Sequence, residues 1–335
     1  MFKYNNMEFN YQQICENLLK DLPDRQREVI SRRFALKGEG GVKRETLEAI
    51  GKDFGITRER VRQIEEDGLS KIKPKIKEYQ KIFQHFKKLL KETGDLKRED
   101  IFLKNLAGEN YQNQVFFLLT LAKDFQRFSE TKERYPFWTI NLRSVDLAQK
   151  VIDCLSEKLK EINRPLTFQE LKSLVNFSLS PRVLESFLEI SKVIQKNADG
   201  FFGLKDWPEI NPRGIKDKAY LVFKKEKRPL HFTEVANLIP EKALPQTVHN
   251  ELIKDPRFVL VGRGTYALAE WGYFPGEVKE VIFRILKEEG PLTKEEILKK
   301  VLSQRVVKVN TVLLNLANKK YFLRDSQGRY QIKEI

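Results

Sequence analysis

Residues 46–65 read Thr46-Leu-Glu-Ala-Ile-Gly-Lys-Asp-Phe-Gly-Ile-Thr-Arg-Glu-Arg-Val-Arg-Gln-Ile-Glu65, and the order of apolar, small and capping residues predicts two helices crossing at a tight turn. Leu47, Ile50 and Phe54 fall at i, i+3 and i+7, one face of a half-buried helix. Gly51 stands where crossing helices approach so closely that a side chain would collide, and Gly55 where the chain turns through a left-handed conformation. Ile56 fills the angle between the helices, and Thr57 caps the second. The inward positions Val61, Ile64 and Leu69 leave Arg58, Glu59, Arg62 and Gln63 together on the outward face of that helix, at its N-terminal end. This is the logic of a helix-turn-helix, whose second helix offers its N-terminal end to the major groove of DNA.

The four outward residues suit base reading. Arg can contact guanine through two hydrogen bonds, Gln adenine, and Glu can accept from the cytosine amino group. Lys43, Arg44, Thr57 and Arg60 are placed to hold phosphates. An exposed helix laced with Arg and Glu for solubility has the same charges but does not account for the order from Ile50 to Thr57.

Upstream, Leu22-Pro23-Asp24 is a helix start before the apolar positions Val29, Ile30 and Phe34, and Gly38, Gly40 and Gly41 break that helix. Downstream, Gly68 falls where a helix former is expected. At a cost of about 1 kcal/mol relative to Ala, it predicts a short or bent far end for the second helix. Residues 1–80 are expected to fold alone.

The segments 22–30 and 46–65 closely resemble region 4 of the primary sigma factors of bacterial RNA polymerase, over about a seventh of the chain. The resemblance implies that Arg58, Glu59, Arg62 and Gln63 read a promoter −35 element and that the domain touches the polymerase flap. No segment resembles the sigma domain that melts the −10 element, so the expectation is a protein that works alongside a sigma factor.

The rest of the chain is repetitive. Arg164-Pro-Leu-Thr-Phe-Gln-Glu-Leu171 recurs as Arg228-Pro-Leu-His-Phe-Thr-Glu-Val235 and as Gly290-Pro-Leu-Thr-Lys-Glu-Glu-Ile297, steps of 64 and 62 residues. Gly200-Phe-Phe-Gly-Leu204 likewise recurs from Gly264 and from Gly328. Each unit reads as three helices and a glycine-turned β-hairpin, a winged helix, with a helical solenoid as the alternative. Gly94 to Ile101 opens a degenerate earlier copy, and Trp138, Trp207 and Trp271 are expected to pack between consecutive units. The predicted fold is therefore mainly α. An N-terminal helix-turn-helix domain (1–77) is followed by a tandem array of winged-helix domains with short β-hairpins: 78–141, degenerate, then 142–209, 210–273 and 274–335.

These units resemble the HARE-HTH winged-helix domain, known from the delta subunit of RNA polymerase in Gram-positive bacteria and from proteins that join it to DNA-modifying or chromatin functions. The likeness is clearest over 211–273. Third helices of such units contact grooves or proteins, and both readings stay open here. The candidates are Gln246, Thr247, His249 and Asn250, with Arg263 at a wing tip, then Thr311, Asn315 and Lys319 in the last unit; Arg182, Glu185 and Glu189 in the unit from 142 are less suited to phosphate.

Composition narrows the function classes. The chain has 335 residues, 62 Lys and Arg against 47 Asp and Glu, and a formal net charge of +15, which points to an anionic partner. The excess is diffuse rather than a polybasic tail. Two cysteines and three histidines form no metal-ligand spacing, so no metal and no cofactor are expected. The N-terminus has no signal-peptide pattern, which leads to a cytoplasmic, nucleoid-associated expectation. No phosphate loop, nucleophile elbow or acidic nuclease cluster occurs, and an enzyme is not expected. The expected function is a sequence-specific transcription factor whose partners are double-stranded DNA and RNA polymerase. The alternatives are a polymerase-associated, delta-like scaffold binding mainly protein, and the targeting component of a DNA-modification system.

Overall fold

The computed structural model describes residues 9–37 and 43–333, and the helix break expected at Gly38, Gly40 and Gly41 lies outside them. The chain divides into two compact units, Met1–Lys205 and Asp206–Ile335. Both are mainly helical with small antiparallel sheets, and no helix among the described residues is long and apolar enough to cross a membrane.

The first unit begins with α1 (Tyr11–Leu19), α2 (Asp24–Phe34), α3 (Leu47–Phe54) and α4 (Arg58–Ile72), and a 3-10 stretch over Lys73–Tyr79 leads on. Then come α5 (Gln80–Glu92), β1 (Leu96–Arg98), α6 (Glu99–Ala107), α7 (Gln112–Leu121), β2 (Gln126–Phe128) and β3 (Phe137–Thr139). The unit closes with α8 (Leu142–Ile162), α9 (Phe168–Leu174), α10 (Pro181–Glu189), β4 (Ile194–Lys196) and β5 (Phe202–Leu204). The second unit holds α11 (Gly214–Glu226), β6 (Leu230–His231), α12 (Phe232–Leu238), α13 (Pro245–Lys254), β7 (Phe258–Gly262) and β8 (Thr265–Leu268). After them come α14 (Val278–Glu289), α15 (Lys294–Gln304), α16 (Val309–Leu316), β9 (Phe322–Arg324) and β10 (Tyr330–Ile332).

The repeated Pro-Leu-Thr motif has a double local purpose. Its leucine pairs with the last strand of its repeat: Leu166 exchanges both backbone hydrogen bonds with Phe202 (2.8 and 2.7 Å), and Leu292 does so with Tyr330 (3.1 and 2.7 Å). Leu230 pairs with Tyr266 in the sheet β6-β8-β7. The next residue caps the following helix. Thr167 and Thr293 form reciprocal capping boxes with Glu170 and Glu296, and the His231 side chain takes that place in the third repeat. The buried Leu171, Val235 and Ile297 then anchor that helix in the core. The expected hairpins form, and beyond them the leucine adds a short strand, β6, in the repeat from 210 and a single bridge at Leu166 and at Leu292.

The segment 78–141, expected to be a degenerate copy, carries a three-stranded sheet in the order β1-β3-β2. Its α7 is buried along almost its whole length, because the apolar run Val115 to Leu121 faces both its own repeat and α1 and α2. Phe117 meets Phe34 edge-on with ring centres 5.1 Å apart, and the Tyr11 hydroxyl donates to the Leu106 carbonyl at 3.1 Å. One hydrophobic cluster therefore contains Tyr11, Cys15 and Leu18 together with Phe86, Phe117 and Trp138. The expectation that residues 1–80 fold alone meets a core shared across that line.

The second copy is fastened to the first through the surfaces that a free copy would expose. The Ser186 hydroxyl of α10 donates to the Leu96 carbonyl of β1 at 2.7 Å, and Lys97 pairs with Glu189 at 2.6 Å. The chain between β2 and β3 clamps the residues beyond α10, with Tyr135 N–H donating to Ile190 O (2.9 Å) and Lys192 N–H to Glu133 O (2.7 Å). In the second unit, the largely buried Arg305 donates to the carbonyls of Phe274 and Gly276 at 2.6 and 2.8 Å, ordering the turn between the last two copies. Trp138 and Trp271 correct another expectation. Each packs inside its own repeat, against Phe116 (5.7 Å) and Phe223 (6.3 Å), and Trp138 does so because it sits on the central strand of its sheet, facing the core.

Candidate nucleic-acid interface

The turn between α3 and α4 is built by local chemistry. Gly55 ends α3 at φ 64° and ψ 32°, and the Ile56 N–H donates to the Gly51 carbonyl at 2.9 Å. A Cβ on Gly51 would stand 2.8 Å from the Ile56 carbonyl oxygen, so only glycine lets the chain close this tightly. The Thr57 hydroxyl accepts from the Arg60 N–H at 3.2 Å and so caps α4. Val29, Ile50, Val61 and Ile64 form the small core beneath, with Leu47, Phe54 and Ile56 packed on it.

Gly68 does not shorten α4, which runs unbroken to Ile72. Its Cα lies against α2, where a Cβ would meet the Ile30 side chain at 2.7 Å. The glycine stands where α2 and α4 come close, and a side chain there would have to displace the end of Ile30.

Arg58, Glu59, Arg60, Arg62 and Gln63 are all exposed on the first two turns of α4. Arg62 is held between two carboxylates, donating to Glu59 through Nε and Nη2 (3.0 and 2.7 Å) and pairing through Nη1 with Glu66. That hydrogen bond keeps the Glu59 carboxyl below its usual range, so Glu59 offers acceptors only. Arg60 donates to the Gln63 side-chain oxygen at 3.1 Å, which leaves the Gln63 amide hydrogens pointing elsewhere. Arg58 makes no side-chain hydrogen bond or ion pair among the described residues. Exposed pairs of this kind are weak, so exchanging them for a nucleic-acid contact costs little.

Of the expected phosphate holders, Lys43 is exposed. Arg44 is exposed as well, and it lays its guanidinium 3.8 Å from the centre of the Phe116 ring, at the junction with α7. Sequence reasoning missed Arg32, which fixes the approach to α3 by pairing with Glu45 (2.9 and 2.5 Å) and with Asp53. Nothing local marks it, since its partners lie 13 and 21 residues away.

The later candidates separate into two groups. In α10, Glu189 is taken up by Lys97, and Arg182 lies 3.6 Å from Glu92, while Glu185 is exposed. In α13, Gln246, Thr247 and Asn250 are exposed, as is Arg263 in the β7–β8 turn. His249 is half-buried: its ring lies tilted against Phe232 (4.6 Å between ring centres) and its Nδ1 lies 3.2 Å from the Tyr266 hydroxyl. Thr311 and Lys319 are exposed, and Asn315 donates back to the Thr311 carbonyl at 2.8 Å.

Comparison with known proteins bears on the first of these sites. Residues 18–73 match the family model for Sigma-70, region 4. A similar protein is the RNA polymerase sigma factor RpoS of Coxiella burnetii (strain RSA 493 / Nine Mile phase I), 49% identical over 59 residues, which are 17% of this chain and 16% of that relative. The chain thus matches about a sixth of that sigma factor's length. Residues 18–73 are a Sigma-70 region 4 domain, a DNA-binding, transcription-related helix-turn-helix set within a longer chain.

Proposed function

We propose that the chain is a sequence-specific transcription factor that reads a promoter-like element in double-stranded DNA through α4. Arg58, Glu59, Arg62 and Gln63 contact base edges, while Lys43, Arg44, Arg60 and the first turn of α4 at Thr57 approach phosphates. The observation that carries this reading is the exposure of all four base-reading candidates on one end of a helix capped by Thr57.

We read the four repeats after residue 79 as winged helices of the HARE-HTH kind. The first and third run helix, strand, helix, helix and two strands, with matching sheet orders β1-β3-β2 and β6-β8-β7, and in the second and fourth a single bridge at Leu166 and at Leu292 stands where that first strand would be; this order supports the reading. The first two copies then serve as a mount for the region 4 domain, since α7 and α10 are occupied by packing. Contact with flanking DNA or with RNA polymerase falls to the last two copies, through Gln246, Thr247, Asn250 and Arg263 and through the exposed face of α16.

A second reading, an RNA polymerase-associated scaffold, is favoured by one observation: Leu244 and Leu314 at the third helices of these copies are 74% and 75% exposed, which suits a protein partner. Selection of bound fragments from random duplex DNA tests the first reading. A single enriched motif is expected, with Arg62→Ala weakening it by about 1–3 kcal/mol at one base pair. An absence of enrichment, with binding to RNA polymerase insensitive to salt, would favour the scaffold.

A further inference from the structure

At the far end of α4, the 3-10 stretch Lys73–Tyr79 and α5 meet the C-terminal end of α7 around a cleft of about 470 Å3. Its floor is apolar, formed by Ile76, Phe83, Leu121 and Ala122, the last three buried. Its rim carries Lys73, Lys77, Lys87 and Lys123. Lys87 pairs with Asp124 at 2.7 Å, whereas Lys73, Lys77 and Lys123 are exposed and have no ion pair among the described residues. From residue 71 to residue 91 there are eight lysines and one acid, Glu78, a local cluster within an excess that is otherwise spread along the chain.

We propose that this cleft docks an acidic amphipathic helix of a partner protein. The volume lies within the range of about 300–1,000 Å3 usual for binding pockets. The floor would take apolar anchors spaced one helical turn apart, and the unpaired rim lysines would meet carboxylates between them. Nucleic acid fits the same charge less well. Phosphates gain nothing from an apolar floor, and bases need an exposed ring face to stack on. Phe83, the one aromatic residue in the lining, is buried and edge-on to Phe86 at 6.1 Å. The site also lies at the opposite end of α4 from Arg58, about 20 Å away at 1.5 Å per residue. A peptide in the cleft and DNA on the first turn of α4 can therefore be bound together.

The experiment uses the full chain and a fluorescein-labelled designed peptide of about four helical turns. Leu occupies one face of the peptide, at i, i+3 and i+7, and Glu the others. By anisotropy at physiological salt, wild-type protein binds this peptide. It binds a scrambled peptide of the same composition about tenfold more weakly, because the anchors no longer share a face. K73E/K77E/K123E weakens binding by about tenfold or more through loss of three rim contacts. Gln84→Trp fills the cleft without changing its charge and does the same, with thermal melts of both variants unchanged. Equal binding of the scrambled peptide, or undiminished binding by Q84W, overturns the proposal. So does displacement of the peptide by a single-stranded oligonucleotide, which would make the cleft a nucleic-acid groove.

Discussion

A methyl group on Gly68 would stand 2.7 Å from Cδ1 of Ile30, in the seam between α4 and α2. Helix propensity alone favours Ala over Gly by about 1 kcal/mol. Overpacking a filled core costs about 1–3 kcal/mol, and Ile30, at 0% exposure, has no solvent into which its methyl can swing. Gly68→Ala is therefore expected to destabilise the first unit by about 1 kcal/mol in urea denaturation. Ile30→Val removes Cδ1, and the double variant should lose most of the added penalty. A stabilised Gly68→Ala would show that the seam has slack.

Phe117 is fully buried between its own repeat and Phe34. Phe117→Ala should cost about 3–5 kcal/mol, read from the unfolding midpoint of residues 1–205. The fragment 1–77, deprived of α7, is expected to melt well below residues 1–205 or to aggregate through the uncovered face of α1 and α2. Equal melting temperatures would show that α7 adds nothing to the region 4 domain.

Glu170 accepts from the Thr167 N–H at 2.7 Å, from its hydroxyl at 2.8 Å and from Arg164 at 2.9 Å. These donors hold its carboxyl at about 2, against an ordinary value of 4.5. Because the folded-state value is the lower one, the stabilisation is complete above 4.5 and disappears as pH falls from there to about 2. Glu170→Gln should be less stable than wild type at neutral pH and converge with it near pH 2. Parallel stability curves across that window would show that the carboxylate is not the helix cap.

Cys15 lies 1% exposed beneath α7, and burial pushes its thiol well above the usual range, whereas Cys154 is half-buried. A thiol-specific reagent should label Cys154 in the native protein and reach Cys15 only with denaturant. Rapid native labelling of Cys15 would mean that α1 separates readily from α7.

Caps, glycine turns and repeated motifs act within about four residues of themselves, and these the sequence by itself determined. The turn at Gly51, Gly55 and Thr57 was legible, as were the three hairpins of the later repeats. What only the tertiary structure decided is which faces remain open. The Tyr11 hydroxyl meets the Leu106 carbonyl across 95 residues of chain, and Ser186 meets Leu96 across 90. An apolar helix face carries the same periodicity whether a distant helix covers it or a partner does, so the burial of α7, the fastening of α10 and the contact of Arg44 with Phe116 could not be read locally. Gly68 fails in the other direction. Its intrinsic cost is visible in one residue, while its purpose depends on how closely Ile30 approaches, a distance set by packing between helices rather than by anything in the helix itself.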